Sequence, residues 1–340
     1  MKTAFFTSHH VWPAHYETAM ELMEDHLKQK DEVIQFYCDF DLSTCDINTE
    51  HSVEKCLNCI SKRKAGLKLL SGVVEEQKFI DLTPEIKREI DKLPKSFKDF
   101  DTLCAYKIED YSIGFSIASS IVTLLQDPYL DTKSHEKLIY DYLYTSCAIY
   151  FSLKHKLVSQ KIDRLYVYNG RFAHVRAALS AAQEVGVECL LHENGCTKDH
   201  YALYYNQMPQ RLNHIRRLIK EYWDKSTTPE KEKIEIGSSF FTDSFDAKDQ
   251  AWFSFVKNQK KGLLPESWDT SKKNIVLFNS TEDEFFSLDK EWHNDVYSTQ
   301  LEGIKKIIKD TEDWGDYHIY LRVHPHLHVR RSKELIDLHA

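Results

Sequence analysis

Three times along this chain a short apolar run, a helical stretch and a second apolar run follow one another. Thr3–Thr7 is the first run; a helix is expected from about His15 to Lys28, with Met20, Met23 and Leu27 on one face, and Glu32–Tyr37 follows. Arg164–Tyr168, Phe172–Val185 and Val187–His192 repeat the pattern, as do Asn274–Phe278, Gln300–Lys309 and Tyr317–Val323. Each unit demands a parallel strand pair joined by a right-handed crossover. The chain is therefore read as α/β. Its 340 residues exceed one ordinary core, so two domains are expected.

The intervening segments fill in the outline. A basic helix is expected over about Ser52–Leu70, a strand near Val73–Leu82, a buried helix at Ile113–Leu125 and a long helix at Glu136–Ser159. A polar helical stretch runs through Tyr222, Lys225–Glu235 reads as an exposed loop, and Gly237–Asp269 as irregular. These breaks place a first domain at 1–235, a connection at 236–270 and a second domain from 271 to 340, with a helix over Val329–Leu338.

Hydrophobic residues make up 42% and charged residues 29%, a globular balance. The net charge of −8 argues against nucleic acid as a partner, and Lys62-Arg63-Lys64 reads as a solvated helix face. No apolar run approaches the ~20 residues of a membrane span, and the apolar part of Met1–His10 is too short for a signal peptide. A cytoplasmic protein is the expectation. Only 10 residues are glycine, with no G-x-G-x-x-G and no Walker loop. A bound phosphate must then be held by side chains and helix ends.

Ligands of doubly wound sheets bind beyond the carboxyl ends of the strands, and polar residues collect there. His9 and His10 follow the first strand; Asn169, Gly170 and Arg171 follow the fourth, with Arg176 a helical turn on. His192 and Glu193 end the next. Ser280, Thr281, Glu282, Asp283 and Glu284 follow Asn274–Phe278, and Arg322, His324 and Pro325 close the last strand. Arg322 and His324 suit a phosphate, and the start of the Ser280–Glu284 segment could add backbone amides. Glu193, Glu282 or a histidine of the first loop, His10 among them, suits a general base toward an acceptor hydroxyl. The competing reading for Glu193 is a salt bridge to Arg171 or Arg176.

Cys38, Cys45, Cys56 and Cys59 fall within 22 residues, spaced C-x6-C-x10-C-x2-C. Four thiolates suit structural zinc; ordinary free cysteines are the other main reading, and a redox role a third. No His/Asp/Glu cluster accompanies them, so a catalytic metal is not expected.

Several segments together resemble bacterial capsule or surface-polysaccharide glycosyltransferases of the two-domain GT-B type. They are His15-Tyr-Glu-Thr-Ala-Met-Glu-Leu with the Cys38–Cys59 pattern, Tyr168-Asn-Gly-Arg-Phe-Ala-His-Val-Arg176, Leu277-Phe-Asn-Ser-Thr-Glu-Asp-Glu284 and Leu321-Arg-Val-His-Pro325. The resemblance implies two Rossmann-like domains facing across a cleft, with a nucleotide-sugar donor on the second and a glycan or lipid-linked acceptor on the first. Ser280, Thr281, Glu284, Arg322, His324 and Pro325 would then serve the donor, and His9, Asn169, Arg171, Arg176 and His192 the acceptor side. It implies no metal for the chemistry, and it allows peripheral association with a membrane polysaccharide-assembly complex. Such families continue past the His-Pro strand with further β/α units. The second domain is accordingly expected to be incomplete in this chain, unless a partner completes it.

Overall fold

In the computed structural model the residues described are 1–195, 199–246, 248, 260, 262–286, 288, 290–292, 296–325 and 327. The chain forms two compact units, one built from Met1–Leu125, Tyr129–Gly195 and Asp199–Arg211, the other mainly from Leu212 onward.

The first unit is organised by a six-stranded sheet. Its strands are β1 (Lys2–Thr7), β2 (Glu32–Tyr37), β3 (Glu75–Lys78), β4 (Arg164–Tyr168), β5 (Glu188–Asn194) and β6 (Tyr201–Tyr205), in the order β3-β2-β1-β4-β5-β6. All neighbours are parallel except β5 and β6. A parallel sheet covered on both faces needs apolar side chains pointing both ways, and Ala4, Phe5, Phe6, Leu165, Tyr166, Val167, Leu190 and Leu191 are all buried. Helix α1 (Pro13–Lys28) covers one face: Ala19, Leu22 and Met23 pack with Phe5, Val33, Tyr166 and Leu190.

Helix α2 (Val53–Leu67) is shorter than the sequence suggested. Its Arg63 is buried, paired with Glu76 at 2.5 Å and lying 3.5 Å over the Tyr37 ring. The basic run is thus not wholly a solvated face, because a planar guanidinium can be buried between a carboxylate and an aromatic ring. Helices α3 (Pro84–Asp91) and α4 (Phe100–Ala105) follow. The sequence reading missed both. Next come α5 (Ile113–Leu125), α6 (Glu136–Ser159) and α7 (Ala173–Val185), close to the positions read from periodicity. Leu179 of α7 and Leu191 both approach Gly170, and the Leu191 side chain lies on the face opposite Leu190.

Where α4 and α5 meet, Gly114 has no alternative: a Cβ there would stand 1.8 Å from the Leu103 carbonyl oxygen. Gly114→Ala must push the two helices apart, at about 3 kcal/mol for overpacking of this kind. Urea unfolding should show the loss, and an unchanged midpoint would mean the helices do not approach so closely.

The second unit carries α8 (Leu212–Lys225), α9 (Glu230–Phe245), β7 (Lys273–Phe278), α10 (Glu282–Phe286), α11 (Gln300–Asp310) and β8 (Tyr317–Arg322). β7 and β8 pair in parallel, from Lys273 opposite Tyr317 to Phe278 opposite Arg322. The third strand–helix–strand unit of the sequence is therefore present. The Lys225–Glu235 loop is present only over 226–229: α9 begins at Glu230 and runs through Gly237. Alternating Lys and Glu serve an exposed helix as well as a loop, here through a Lys231–Glu235 pair one turn apart. After α9 the described residues of the irregular segment, 246, 248, 260 and 262–269, have no regular secondary structure, while 247, 249–259 and 261 and the Val329–Leu338 helix lie outside the described residues. Among the described residues no helix is long and apolar enough to cross a membrane.

Candidate functional site

The winding of the sheet reverses between β1 and β4. From β1 the chain moves outward to β2 and β3, then returns to lay β4 against the other side of β1. At such a reversal the loops beyond the two carboxyl ends diverge, and a crevice opens between them. His9 and His10 follow β1, Asn169 and Arg171 follow β4, and His192 and Glu193 lie near the end of β5. The topology brings these six predicted residues to one edge of one sheet.

Aromatic rings line this edge. His15 lies over Tyr168 with centroids 3.7 Å apart; Trp12 meets His9 at 4.8 Å and His15 at 5.5 Å. Tyr168 continues to His192 at 5.7 Å. Trp12 is 39% exposed, so the cluster reaches solvent at one end.

The imidazoles are held neutral. Burial pulls His9 down to about 4, against the attraction of Asp46, and His15 to about 4 with help from His9. Burial takes His10 to about 3, aided by His9 and Arg63, and His192 to about 3, aided by His15. His174 of α7 is lowered for the same reason against the pull of Asp46, whose carboxylate is 3.4 Å away and also accepts from the Tyr142 hydroxyl at 2.8 Å. A charged imidazole requires solvation that this interior does not offer.

His10 and His9 face different tasks. His10 is buried and built into the sheet: its Nε2 lies 2.9 Å from Thr7 Oγ1 and 3.3 Å from Gln35 Nε2, and its Nδ1 lies 3.5 Å from Cys59 Sγ. With the Gln35 amide donating to Nε2, the proton belongs on Nδ1. His10 is thereby a brace between β1, β2 and α2. His9 Nδ1 is buried with no hydrogen-bond partner among the described residues, which leaves it for another ligand.

Glu193 is the carboxylate of the edge. Asn169 Nδ2 donates to its Oε2, and the Asn194 amide donates to Oε1 at 2.9 Å. Burial raises its pKa above the ordinary glutamate value, while the Asn169 hydrogen bond, the Asn194 amide and the charge of Arg171 pull it back. Asn169 takes a left-handed conformation (φ 57°) and accepts the Arg171 amide at 3.0 Å, a local turn that suits asparagine. Gly170 is also left-handed (φ 78°), and a Cβ there would come within 2.2 Å of Leu191. The β4 turn therefore fixes the aim of Asn169 and, through it, Glu193.

The two arginines turn elsewhere. Arg171 donates to Thr123 Oγ1 at 3.1 Å and lies 4.5 Å over Phe172. Arg176 donates from Nε to the Gly170 carbonyl at 2.8 Å and lines a separate pocket of about 170 Å³ with Asp110 and Arg211.

In the second unit the parallel register aligns the carboxyl ends of β7 and β8. Asn279 joins them, its Oδ1 accepting the His324 amide at 2.9 Å. Arg322 is exposed, and its Nη1 donates to the Val323 carbonyl at 3.3 Å. Pro325 is half-buried. The Ser280 amide donates to Gln300 Oε1 at 2.8 Å, and Glu282 Oε1 accepts the Gln300 amide at 2.5 Å, capping α11. Thr281 is buried, Glu284 exposed. Glu282 thus supports a helix end, and the Ser280 amide is already taken.

Sequence reasoning missed Trp12, His15, Asp46, Tyr168, His174 and Asn279 as members of these edges. His15, Tyr168, His174 and Asn279 stood inside the segments that carry the resemblance, and their positions beside the ends of β1, β4 and β7 were the available signal.

No protein-family model matches the chain, and no curated protein matches it. Among solved structures it is similar to CalG4, the calicheamicin glycosyltransferase, at 9% identity and a TM-score of 0.26. That alignment covers 95% of this chain and 66% of the other, so the chain spans less than two thirds of that protein. A likeness of this size carries no weight for fold or activity, which rest on the topology and the residues above.

Proposed function

We propose that the chain transfers a glycosyl group from a nucleotide-sugar donor to a hydroxyl of a surface or capsular glycan, or of its lipid-linked precursor. The observation that carries this reading is the site at the β1/β4 reversal, where a half-buried carboxylate of raised pKa lies beside a partly exposed aromatic edge. Faces of sugar rings are apolar and their rims are hydroxyls. Trp12, His15 and Tyr168 offer flat surfaces to the former, and neutral His9 offers hydrogen bonding to the latter.

In the proposed reaction Glu193 accepts the proton of the acceptor hydroxyl as its oxygen bonds to the anomeric carbon of the donor. The bond from that carbon to phosphate breaks, and a nucleoside phosphate leaves with the electron pair. Arg322 and His324 are the groups we assign to the leaving phosphate, the former by paired donors. The segments resembling surface-polysaccharide glycosyltransferases supply the choice of donor and acceptor classes.

The test is to incubate the purified protein with a panel of nucleotide sugars, with and without glycan acceptors, and to measure nucleoside phosphate release and the glycan product. Acceptor-dependent release with a lengthened glycan is expected. Equal donor conversion without acceptor would replace the proposal with a hydrolase or epimerase. No binding of any nucleotide sugar would replace it with a non-catalytic role in polysaccharide assembly.

A further inference from the structure

Cys38, Cys45, Cys56 and Cys59 line one pocket, but among the described residues no three His, Cys, Asp or Glu groups stand so as to hold an ion. The zinc expectation gains no support from this arrangement. Helix α8 carries a pattern that the proposed chemistry leaves unused.

α8 runs for 14 residues and buries none of them. Its apolar residues are Leu212, Ile215, Leu218, Ile219, Tyr222 and Trp223. At about 100° per residue they share one arc about 140° wide. The start of the helix is anchored: the Asn213 backbone and side-chain amides donate to Glu291 at 3.1 and 3.2 Å. Further along, the arc opens to solvent, with Ile219 62%, Tyr222 74% and Trp223 42% exposed. A helix in a soluble domain ordinarily turns such a stripe to the core. Large apolar groups left together outside mark a surface that something else covers.

Charge says what covers it. The helix has four cations, Arg216, Arg217, Lys220 and Lys225, against Glu221 and Asp224. On the helical wheel Arg216 borders the arc beside Trp223, with Lys220 next to it, and Lys225 borders the other side beside Leu218. The two carboxylates lie opposite, where Glu221 pairs with Arg217 at 3.7 Å and Asp224 with Lys220 at 2.8 Å. Lys225 also reaches Glu221 at 3.7 Å, while Arg216 has no ion pair among the described residues. Lys233 of α9 adds a cation 5.2 Å from the Trp223 ring and closes the end of α8 by donating to the Trp223 and Ser226 carbonyls.

Cations on both borders of an apolar arc, with acids on the far side, match a layer of anionic headgroups over hydrocarbon. Lys and Arg stems lie along the apolar surface while their heads stay at the charged layer. Tyr and Trp favour the same depth. The chain's net charge of −8 does not oppose this, because exposed charges more than about 10 Å away are screened at ordinary salt. A 14-residue helix is too short to cross a bilayer, so it lies in the plane of the surface.

We propose that α8 seats the protein on an anionic lipid surface, with Ile219, Tyr222 and Trp223 inserted and Arg216 and Lys225 on the lipid phosphates. The seating is independent of glycosyl transfer and is read without it.

The test is co-sedimentation of the full chain with vesicles of phosphatidylcholine alone, or of phosphatidylcholine and phosphatidylglycerol in equal parts, at low and high salt. Binding to the mixed vesicles is expected, at least about tenfold tighter than to phosphatidylcholine alone and several-fold weaker at high salt. Ile219→Glu with Tyr222→Glu should abolish it, and Arg216→Glu with Lys225→Glu should weaken it by at least about tenfold. Lys98→Glu with Lys137→Glu makes the same charge change at side chains 88% and 89% exposed elsewhere, and binding should stay within about twofold. Should the α8 variants fail to fold, brominated lipid decides with the parent: it should quench tryptophan fluorescence in mixed vesicles, and Trp223→Phe should remove most of that quenching. A parent that does not bind the mixed vesicles, binding indifferent to folded α8 variants, or an α8-dependent dimer without lipid binding would each overturn the proposal.

Discussion

Glu193→Gln is expected to reduce acceptor-dependent glycosyl transfer by about 10²- to 10⁴-fold, the usual worth of a positioned general base. The substitution is nearly isosteric. The single glutamine carbonyl can accept from Asn169 or from the Asn194 amide but not from both, and the β4 turn keeps its shape through the Arg171 amide on Asn169 Oδ1. Donor binding should be unchanged, which separates loss of the base from loss of the fold. The pH profile adds a second readout. A base works deprotonated, so kcat/KM rises with pH through the folded pKa of Glu193, which burial lifts above the ordinary glutamate range. That acid limb should vanish in the variant. Turnover within a few-fold of the parent, with the acid limb intact, would reduce Glu193 to a partner of Asn169.

The first sheet was legible because both periodicities are strong there. Runs such as Ala4-Phe5-Phe6 and Leu165-Tyr-Val-Tyr168 are apolar without interruption, which only a sheet covered on both faces tolerates. β6 was missed because Tyr201–Tyr205, although apolar, is a short antiparallel edge strand that belongs to no strand–helix–strand unit and was read into the polar helical stretch that follows it. Helices α3 and α4 were missed although their start signals were present: Thr83 before Pro84 caps Ile86, and Asp99 caps Thr102. Such caps mark a helix only where a periodic stretch follows, and these helices span 8 and 6 residues.

At the site, strand ends could be read from sequence but side-chain direction could not. His9 and His10 are neighbours of equal promise on paper. Their difference comes from Gln35 and Cys59, which lie 25 and 49 residues from His10 in the chain. Glu282 looked as suitable a base as Glu193 until the N-terminus of α11 was found to claim it. Arg171 and Arg176 were expected beside Glu193, and Arg171 does act on it through its charge; Asn169 and the Asn194 amide make its hydrogen bonds.

The same burial that keeps the imidazoles neutral predicts an acid-labile fold. A histidine near 6.5 when unfolded and near 3 when folded binds a proton in the unfolded chain that it cannot bind in the native one. Its contribution is therefore complete above about pH 6.5 and is lost as pH falls toward the folded value, at about 1.4 kcal/mol per pH unit. His10 and His192 are each 2% exposed and each lowered to about 3. Together they should remove roughly 5 kcal/mol by about pH 4.5, a large part of the stability of an ordinary domain. His9, His15 and His174 shift the same way. Hydrogen-bonded carboxylates such as Asp31 and Asp99, with lowered values, weaken the fold only at still lower pH. A loss between pH 6.5 and 5 thus belongs to the histidines. Urea unfolding followed by circular dichroism at half-unit steps should show a steep fall across that window, and His192→Gln should make the fall shallower by about one proton. A stability flat from pH 7.5 to 5 would mean that these rings are solvated, and with them the crevice they line.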